Sequence, residues 1–255
     1  MFASLSAMVH EFDMTGSPRI RLYVDAPLAA DATVAATTDQ AHYLRRVMRR
    51  GPGDAVALFN GRDGEWRAVI AEVAGKGCVM SVESRMRPQA PGPDPWLLFA
   101  PVKRQGVDFL ARKATELGVA RLQPVFTHRT AVSRVNVARL RANAVEAAEQ
   151  CGRLDVPEVR DPMPLDAALE NWPRARRLFW ADEIGGGAAP QAFAGATTAA
   201  LLIGPEGGFS DDERARLRGH AAATAIDLGP RILRADTAAL AALALWQATA
   251  GDWGA

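Results

Sequence analysis

Cysteine is almost missing from this chain. Cys78 and Cys151 are the only two among 255 residues, and neither sits in a C-x-x-C spacing. A disulfide framework is excluded, and a reducing, cytoplasmic setting is the default expectation. Long apolar runs are missing too: none approaches the roughly 18 residues that a membrane span needs. The start of the chain has no basic segment followed by an apolar stretch, so no secretion signal is expected. The four histidines, His10, His42, His128 and His220, are isolated from one another and from both cysteines. No zinc site is legible, and no metal is expected. Three nucleotide and hydrolase signatures are absent as well. The glycine-bearing stretch near the C-terminus lacks a P-loop lysine, and the chain has neither a dinucleotide G-x-G-x-x-G nor a G-x-S-x-G elbow.

What is present is a globular composition. Hydrophobic residues make up 49% and charged residues 23%. A chain of this length can bury a sizeable core as one large domain or two smaller ones. The formal charge of +1 conceals an asymmetry. Residues 18–87 hold eleven Lys/Arg against eight Asp/Glu, and residues 88–157 hold ten against six. Residues 158–255 reverse this, nine against thirteen. The front of the chain is thus the basic part, as a phosphate-bearing partner requires, although a solvated surface reads equally well from charge alone.

The pattern divides the chain. Residues 1–17, with Met8 and Met14, have weak periodicity and read as a disordered extension or a misassigned start. From Arg19, Ile20, Leu22 and Val24 alternate with Arg21, Tyr23 and Asp25, the period of a strand. Further short strands are expected over 55–60, 65–73 and 78–83, separated by glycine-rich turns, so residues 18–87 predict a small β-barrel. Within it, His42–Arg50 predicts a basic helix with Leu44, Val47 and Met48 inward. Residues 88–95, with four prolines, form a stiff linker. Beyond it strands alternate with long helices, the mark of an α/β domain over 96–255. Strands are expected at 96–102, 121–127, 178–181 and 199–203. Helices are expected over 107–117 and 135–150, from Ser210 with its capping-box Glu213, and from Asp236 or Thr237 to near Gly251. In the last, Leu240, Leu243, Leu245 and Trp246 serve as core or in part as an interface between copies. Cys151 reads as a small hydrophobe at a helix end in preference to a nucleophile.

Two segments stand out. Leu201-Leu-Ile-Gly-Pro-Glu-Gly-Gly-Phe-Ser210 and Ile226-Asp-Leu-Gly-Pro-Arg-Ile-Leu-Arg-Ala-Asp-Thr237 each read as a strand, a backbone-rich loop and a helix. Such loops bind small ligands in α/β proteins. An uncharged or cationic nucleoside suits them: its base can bond main-chain groups while its faces pack on Leu228, Ile232 and Leu233. Glu206 would repel a phosphate.

These two segments resemble the signature loops of the ribosomal RNA small subunit methyltransferase E family. Lys103–Gly118, Glu146–Arg153, Arg19–Val24 and His42–Val47 resemble further family segments in the same order. One departure is visible: Asp236 stands where the family usually shows glutamate, a change of one methylene that keeps a helix-capping role. The resemblance implies a SPOUT-type parallel α/β sheet with a trefoil knot, a PUA-like barrel that holds RNA, and a homodimer. It implies methyl transfer from S-adenosylmethionine to N3 of a uridine in 16S ribosomal RNA of the small subunit. The cofactor residues implied are Leu202, Gly204, Pro205, Glu206, Gly207, Gly208, Leu228, Gly229, Ile232, Leu233, Arg234 and Thr237. Arg45, Arg46, Arg49, Arg50, Arg129 and Arg153 are expected at RNA. Arg129, just past a strand, is expected at the target nucleotide, and Glu206 either orients the cofactor or receives the uridine proton. Arg234 holds the second loop or reaches phosphate. Two other readings stay open: a SPOUT-type enzyme acting on ribose or transfer RNA, and a non-enzymatic RNA-binding protein.

Overall fold

The computed structural model describes residues 18–253 except 76, 103 and 171, so the expected extension over 1–17 and Lys103 lie outside the described residues. The chain divides into two compact units between Ala90 and Pro91.

The first unit holds β1 (Arg21–Tyr23), β2 (Thr33–Ala35), α1 (Thr38–His42), β3 (Ala55–Phe59), β4 (Glu65–Glu72) and β5 (Val79–Arg87). Its five-stranded sheet runs β1-β3-β4-β5-β2, with β1 parallel to β3 and the other pairs antiparallel. Register shifts along β4 and β5 let this long pair bend, because each unpaired residue curls its strand. The curled sheet encloses Leu22, Leu44, Leu58, Ile70, Met80 and Val82. At the start of the central strand β4, Glu65, only 3% exposed, accepts from Arg21 Nε at 2.5 Å and Arg87 Nε at 2.7 Å. Burial pushes this carboxyl up, but the hydrogen bonds from Arg87 and Arg21 outweigh it and hold Glu65 below its ordinary value.

The basic helix differs from expectation. α1 is capped by Thr37 and Gln40, each side chain bonding the other's backbone N–H. It then widens into a π turn over Tyr43–Val47, closed by Met48 N–H on Tyr43 O at 2.9 Å. The extra residue per turn rotates the register. Leu44 stays buried and Met48 packs on the core, but Val47 is 60% exposed. Arg49 ends the turn with φ at +53°.

The second unit holds β6 (Trp96–Phe99), α2 (Arg104–Glu116), β7 (Arg121–Phe126), α3 (Val137–Cys151), β8 (Glu158–Val159), β9 (Met163–Pro164) and α4 (Leu165–Glu170). It continues with β10 (Arg177–Ala181), β11 (Gly187–Ala188), α5 (Ala189–Phe193), β12 (Ala199–Ile203), α6 (Asp211–Gly219), β13 (Ala223–Asp227) and α7 (Ala235–Thr249). The sheet is parallel, in the order β11-β13-β10-β12-β6-β7-β8. β6 and β12 are fully apolar because central parallel strands are covered on both faces. On one face Leu97, Phe99, Leu201 and Ile203 meet Leu110, Leu140, Leu243 and Trp246. On the other Leu98, Leu202 and Trp180 meet Leu165, Leu169, Phe209 and Leu217. From β6 the chain builds outward through β7 to β8, then returns to add β10, β12 and β13 on the opposite side. β12 enters between β10 and β6. That reversal of strand order is where an open α/β sheet leaves a crevice.

Candidate functional site

β13, β10 and β12 are neighbours in the sheet, so the loops that leave their carboxyl ends lie side by side. They enclose a cleft of about 560 Å³. The loop after β12 contributes residues 204–209 and the loop after β13 contributes 227–233; Ala235 and Ala238 of α7 close the floor. A third wall, Ala181–Gly185 after β10, was not foreseen from the sequence. Its signal in the sequence is Gly185-Gly186-Gly187, a glycine run separated by three residues from the end of a strand.

Each loop is shaped locally. In the first, Gly208 N–H donates to Pro205 O at 2.8 Å, closing a turn, and Gly208 has φ at +69°. A side chain there would be strained and would strike the Glu183 carboxylate. Gly204 lies so close to Phe209 that an added Cβ would stand 2.9 Å from the ring. Ser210 then caps α6, its Oγ accepting from Glu213 N–H. In the second loop, Asp227 Oδ1 accepts from Gly229 N–H at 2.9 Å, an Asx turn. Ile232 projects with 93% exposure.

The third wall is held by ionic contacts. Arg214 of α6, 4% exposed, pairs with both Asp182 and Glu183, and its Nε donates to Phe209 O at 3.2 Å. Arg218 adds a 3.0 Å pair to Asp182, whose side chain is fully buried. Burying that carboxylate without such partners would be costly. The Asp182 backbone N–H also reaches Ile226 O at 3.1 Å, linking the β10 loop to β13.

The expected residues fall into distinct places. Gly204, Pro205, Glu206, Gly207, Gly208, Leu228, Gly229, Ile232 and Leu233 all line the cleft. Leu202 does not: strand alternation turns it into the core beneath the loop, among Leu98, Trp180 and Phe209. Arg234 is the N-cap residue of α7, and Thr237 lies in its first turn, where its N–H donates to Asp236 Oδ1 at 2.7 Å. Neither is among the lining residues. Arg129 reaches the first loop from the turn after β7, its Nη1 donating to Gly207 O at 2.8 Å. Glu206 is exposed beside it. Arg153 serves another end of the unit, donating from Nη1 to Thr115 O at 2.8 Å and Val119 O at 2.9 Å and pairing with Asp155. In the first unit Arg46 and Arg49 are exposed, Arg45 donates to Gly75 O, and Arg50 lies 3.7 Å from Asp54. Among the described residues no group of three or more His, Cys, Asp or Glu is placed to hold a metal.

The fold and cleft define an α/β protein with a crevice of small-ligand size at the carboxyl ends of its strands. Glycine backbone, apolar side chains and the exposed Glu206 carboxylate suit a neutral or cationic ligand, while Glu183 is already paired with Arg214 and Arg231 also lines the cleft. Residues 90–247 match the model of the RNA methyltransferase domain, and residues 36–82 that of the RNA methyltransferase PUA domain. The chain belongs to this RNA methyltransferase family. A ribosomal RNA small subunit methyltransferase E from Synechocystis is 33% identical over 88% of this chain and 76% of its own length. One from Rickettsia conorii is 28% identical over 88% of this chain and 93% of its own. Among solved structures, the Neisseria gonorrhoeae methyltransferase E bound to S-adenosyl methionine is 26% identical. It superposes with a TM-score of 0.85 over 92% of this chain and 99% of that one. A putative Legionella pneumophila methyltransferase with bound S-adenosyl methionine is 28% identical, with a TM-score of 0.79 over 90% and 97%.

Proposed function

We propose that this chain transfers a methyl group from S-adenosylmethionine to N3 of a uridine in 16S ribosomal RNA. The observation that carries the reading is the cleft formed by the three loops after β13, β10 and β12, in a member of an RNA methyltransferase family. Its donor set fits the methyl donor. Apart from those already bonded within the protein, which include the Gly208 and Gly229 N–H, main-chain groups of the two loops can serve an adenine, Leu228, Ile232 and Leu233 can cover its faces, and the Glu206 carboxylate suits a cation. When bound, the donor supplies a methyl group on a positively charged sulfur.

The protein's own tasks are to exclude water, align the two partners and remove the N3 proton. Arg129 would stand at the uridine, where a planar, permanently charged guanidinium can bond the oxygen that gains charge as the proton leaves. Glu206 either receives that proton or orients the donor. Arg46 and Arg49, with Arg45 and Arg50 beside them, would take RNA phosphates in the first unit.

The same reading includes a homodimer, a cytoplasmic setting and a trefoil knot. The insertion of β12 between β10 and β6 is in keeping with a knotted path. Ile184 and Ile232, 70% and 93% exposed at the cleft, offer apolar surface for a second copy to cover. No helix among the described residues is long and apolar enough to cross a membrane.

The test is mass spectrometry of ribosomal RNA nucleosides from a deletion strain. Loss of 3-methyluridine from 16S RNA, restored by the wild-type gene, is expected. Loss of a ribose methyl group or a transfer RNA methyl group instead would overturn the target. Absence of S-adenosylmethionine binding in calorimetry would overturn the enzyme.

A further inference from the structure

Glu213 does more than its place in α6 asks of it. As the third residue of a capped helix it needs only one carboxylate oxygen, and Oε2 accepts from Ser210 N–H at 2.8 Å. The other oxygen, Oε1, accepts at 2.7 Å from the backbone N–H of His128, 85 residues away in sequence. The residue is 8% exposed. His128 belongs to the turn after β7, closed by Thr130 N–H on Thr127 O at 3.1 Å and by Thr127 N–H on Thr130 Oγ1 at 2.9 Å. The next residue of that turn is Arg129, which donates to Gly207 O. Two adjacent residues of one turn are thus tied to the middle of the first cleft loop and to the first turn of the helix that follows it.

We propose that Glu213 is a positioning residue that fixes the Thr127–Thr130 turn on the first cleft loop and so sets Arg129 at Gly207. The inference rests on the reading of Arg129 as the group at the target nucleotide. Arg129 has a long, flexible side chain whose Gly207 contact is exposed, and one such bond constrains it weakly. The His128 bond, partly buried and made to a buried carboxylate, fixes the backbone from which that side chain starts. A charged acceptor makes the bond stronger than a neutral one, and a displacement of about 1 Å at a reacting group can cost up to a hundredfold in rate.

Two variants test this, each alone and combined with Arg129→Ala. Glu213→Ala removes both bonds. His128→Pro removes only the donor and leaves the cap of α6 intact; residue 128 is the second position of its turn, where proline is well accepted. It therefore serves where Glu213→Ala fails to fold. The readouts are kcat and KM on small ribosomal subunits from the deletion strain, and the S-adenosylmethionine Kd from calorimetry. His128→Pro is expected to lower kcat about tenfold or more while the donor's Kd stays within about twofold. In the Arg129→Ala background it should cost nothing further, since residues acting as one unit are not additive. Wild-type kcat for His128→Pro, losses that multiply in the double variant, or a parallel fall in donor affinity would each overturn the inference. Wild-type turnover by Arg129→Ala alone is a different failure: it removes the role of Arg129 itself, and with it the group to be positioned.

Discussion

Arg129 and Gly207 meet across 78 residues of sequence, a guanidinium Nη1 on a main-chain oxygen at 2.8 Å. A Cβ on residue 207 would stand 3.5 Å from Arg129 Cβ and Cδ, an ordinary van der Waals contact, so the approach is close without depending on glycine. The contact puts a permanent positive charge beside the first cleft loop. Arg129→Ala should therefore lower kcat/KM on the RNA substrate about a hundredfold and leave donor binding nearly unchanged. Arg129→Lys should recover little, because an ammonium group cannot reproduce the planar fork. Steady-state kinetics and calorimetry on the same preparations check both.

Glu206 lies one residue earlier and is the acidic side chain within the first loop. Glu206→Gln keeps its size and removes its charge and basicity. Turnover is expected to drop about tenfold to a hundredfold with the fold intact. A variant that keeps the wild-type rate and affinity would end both roles assigned to it.

Gly208 combines φ at +69° with the nearness of Glu183. Gly208→Ala forces either the turn or the β10 loop to move, which deforms two walls of the cleft together. The S-adenosylmethionine Kd should rise about tenfold or more, with about 1–2 kcal/mol lost from stability. Unchanged affinity by calorimetry would show that these walls do not grip the donor.

Replacing Arg45, Arg46, Arg49 and Arg50 by Gln should weaken RNA binding and flatten its salt dependence. Arg45 and Arg50 already have partners within the chain, in Gly75 O and Asp54. The slope of log affinity on log salt should therefore fall by about two, one for each exposed arginine lost from phosphate. An unchanged slope in a filter-binding titration would place the RNA elsewhere.

Glu65 gives the first unit a pH dependence of definite sign. Its carboxyl is held below its ordinary value when folded, so the stability it confers is complete above the unfolded pKa and is lost as pH falls through the folded one. Acid melting should weaken the first unit below its ordinary value of 4.5. Glu65→Gln should cost about 2–4 kcal/mol at neutral pH, since Arg21 and Arg87 lose a buried anion, and should remove that acid sensitivity.

The central strands were legible because burial on both faces leaves no polar residue in Trp96–Phe99 or Ala199–Ile203. Ser210 and Glu213 announced α6 because a cap depends on residue type at a fixed spacing. The two ligand loops were legible for a similar reason, since proline and glycine there restrict the backbone directly. β8, β9 and β11, at two residues each, are too short to show a period. Val47 was misplaced because an α-helical register was applied to a π turn. The β10 wall escaped for a different reason. Asp182, Glu183 and Arg214 are charged residues that read as solvated, and only the fold brings them together under cover. The place of Leu202 among the cofactor residues comes from the family resemblance, and the pleat, which sends alternate residues to opposite faces, puts its side chain in the core.

The pairing of β6 with β12 governs how this protein can be made. Leu98 of β6 stands opposite Leu202 of β12. One edge of β6 must therefore wait for a partner synthesised about a hundred residues later, the kind of distant closure that slows folding. Until Ile203 has emerged, every nascent chain carries an unsatisfied apolar ribbon at its middle. Premature termination anywhere before that point yields a product with no place for a ligand and an adhesive edge exposed to its neighbours.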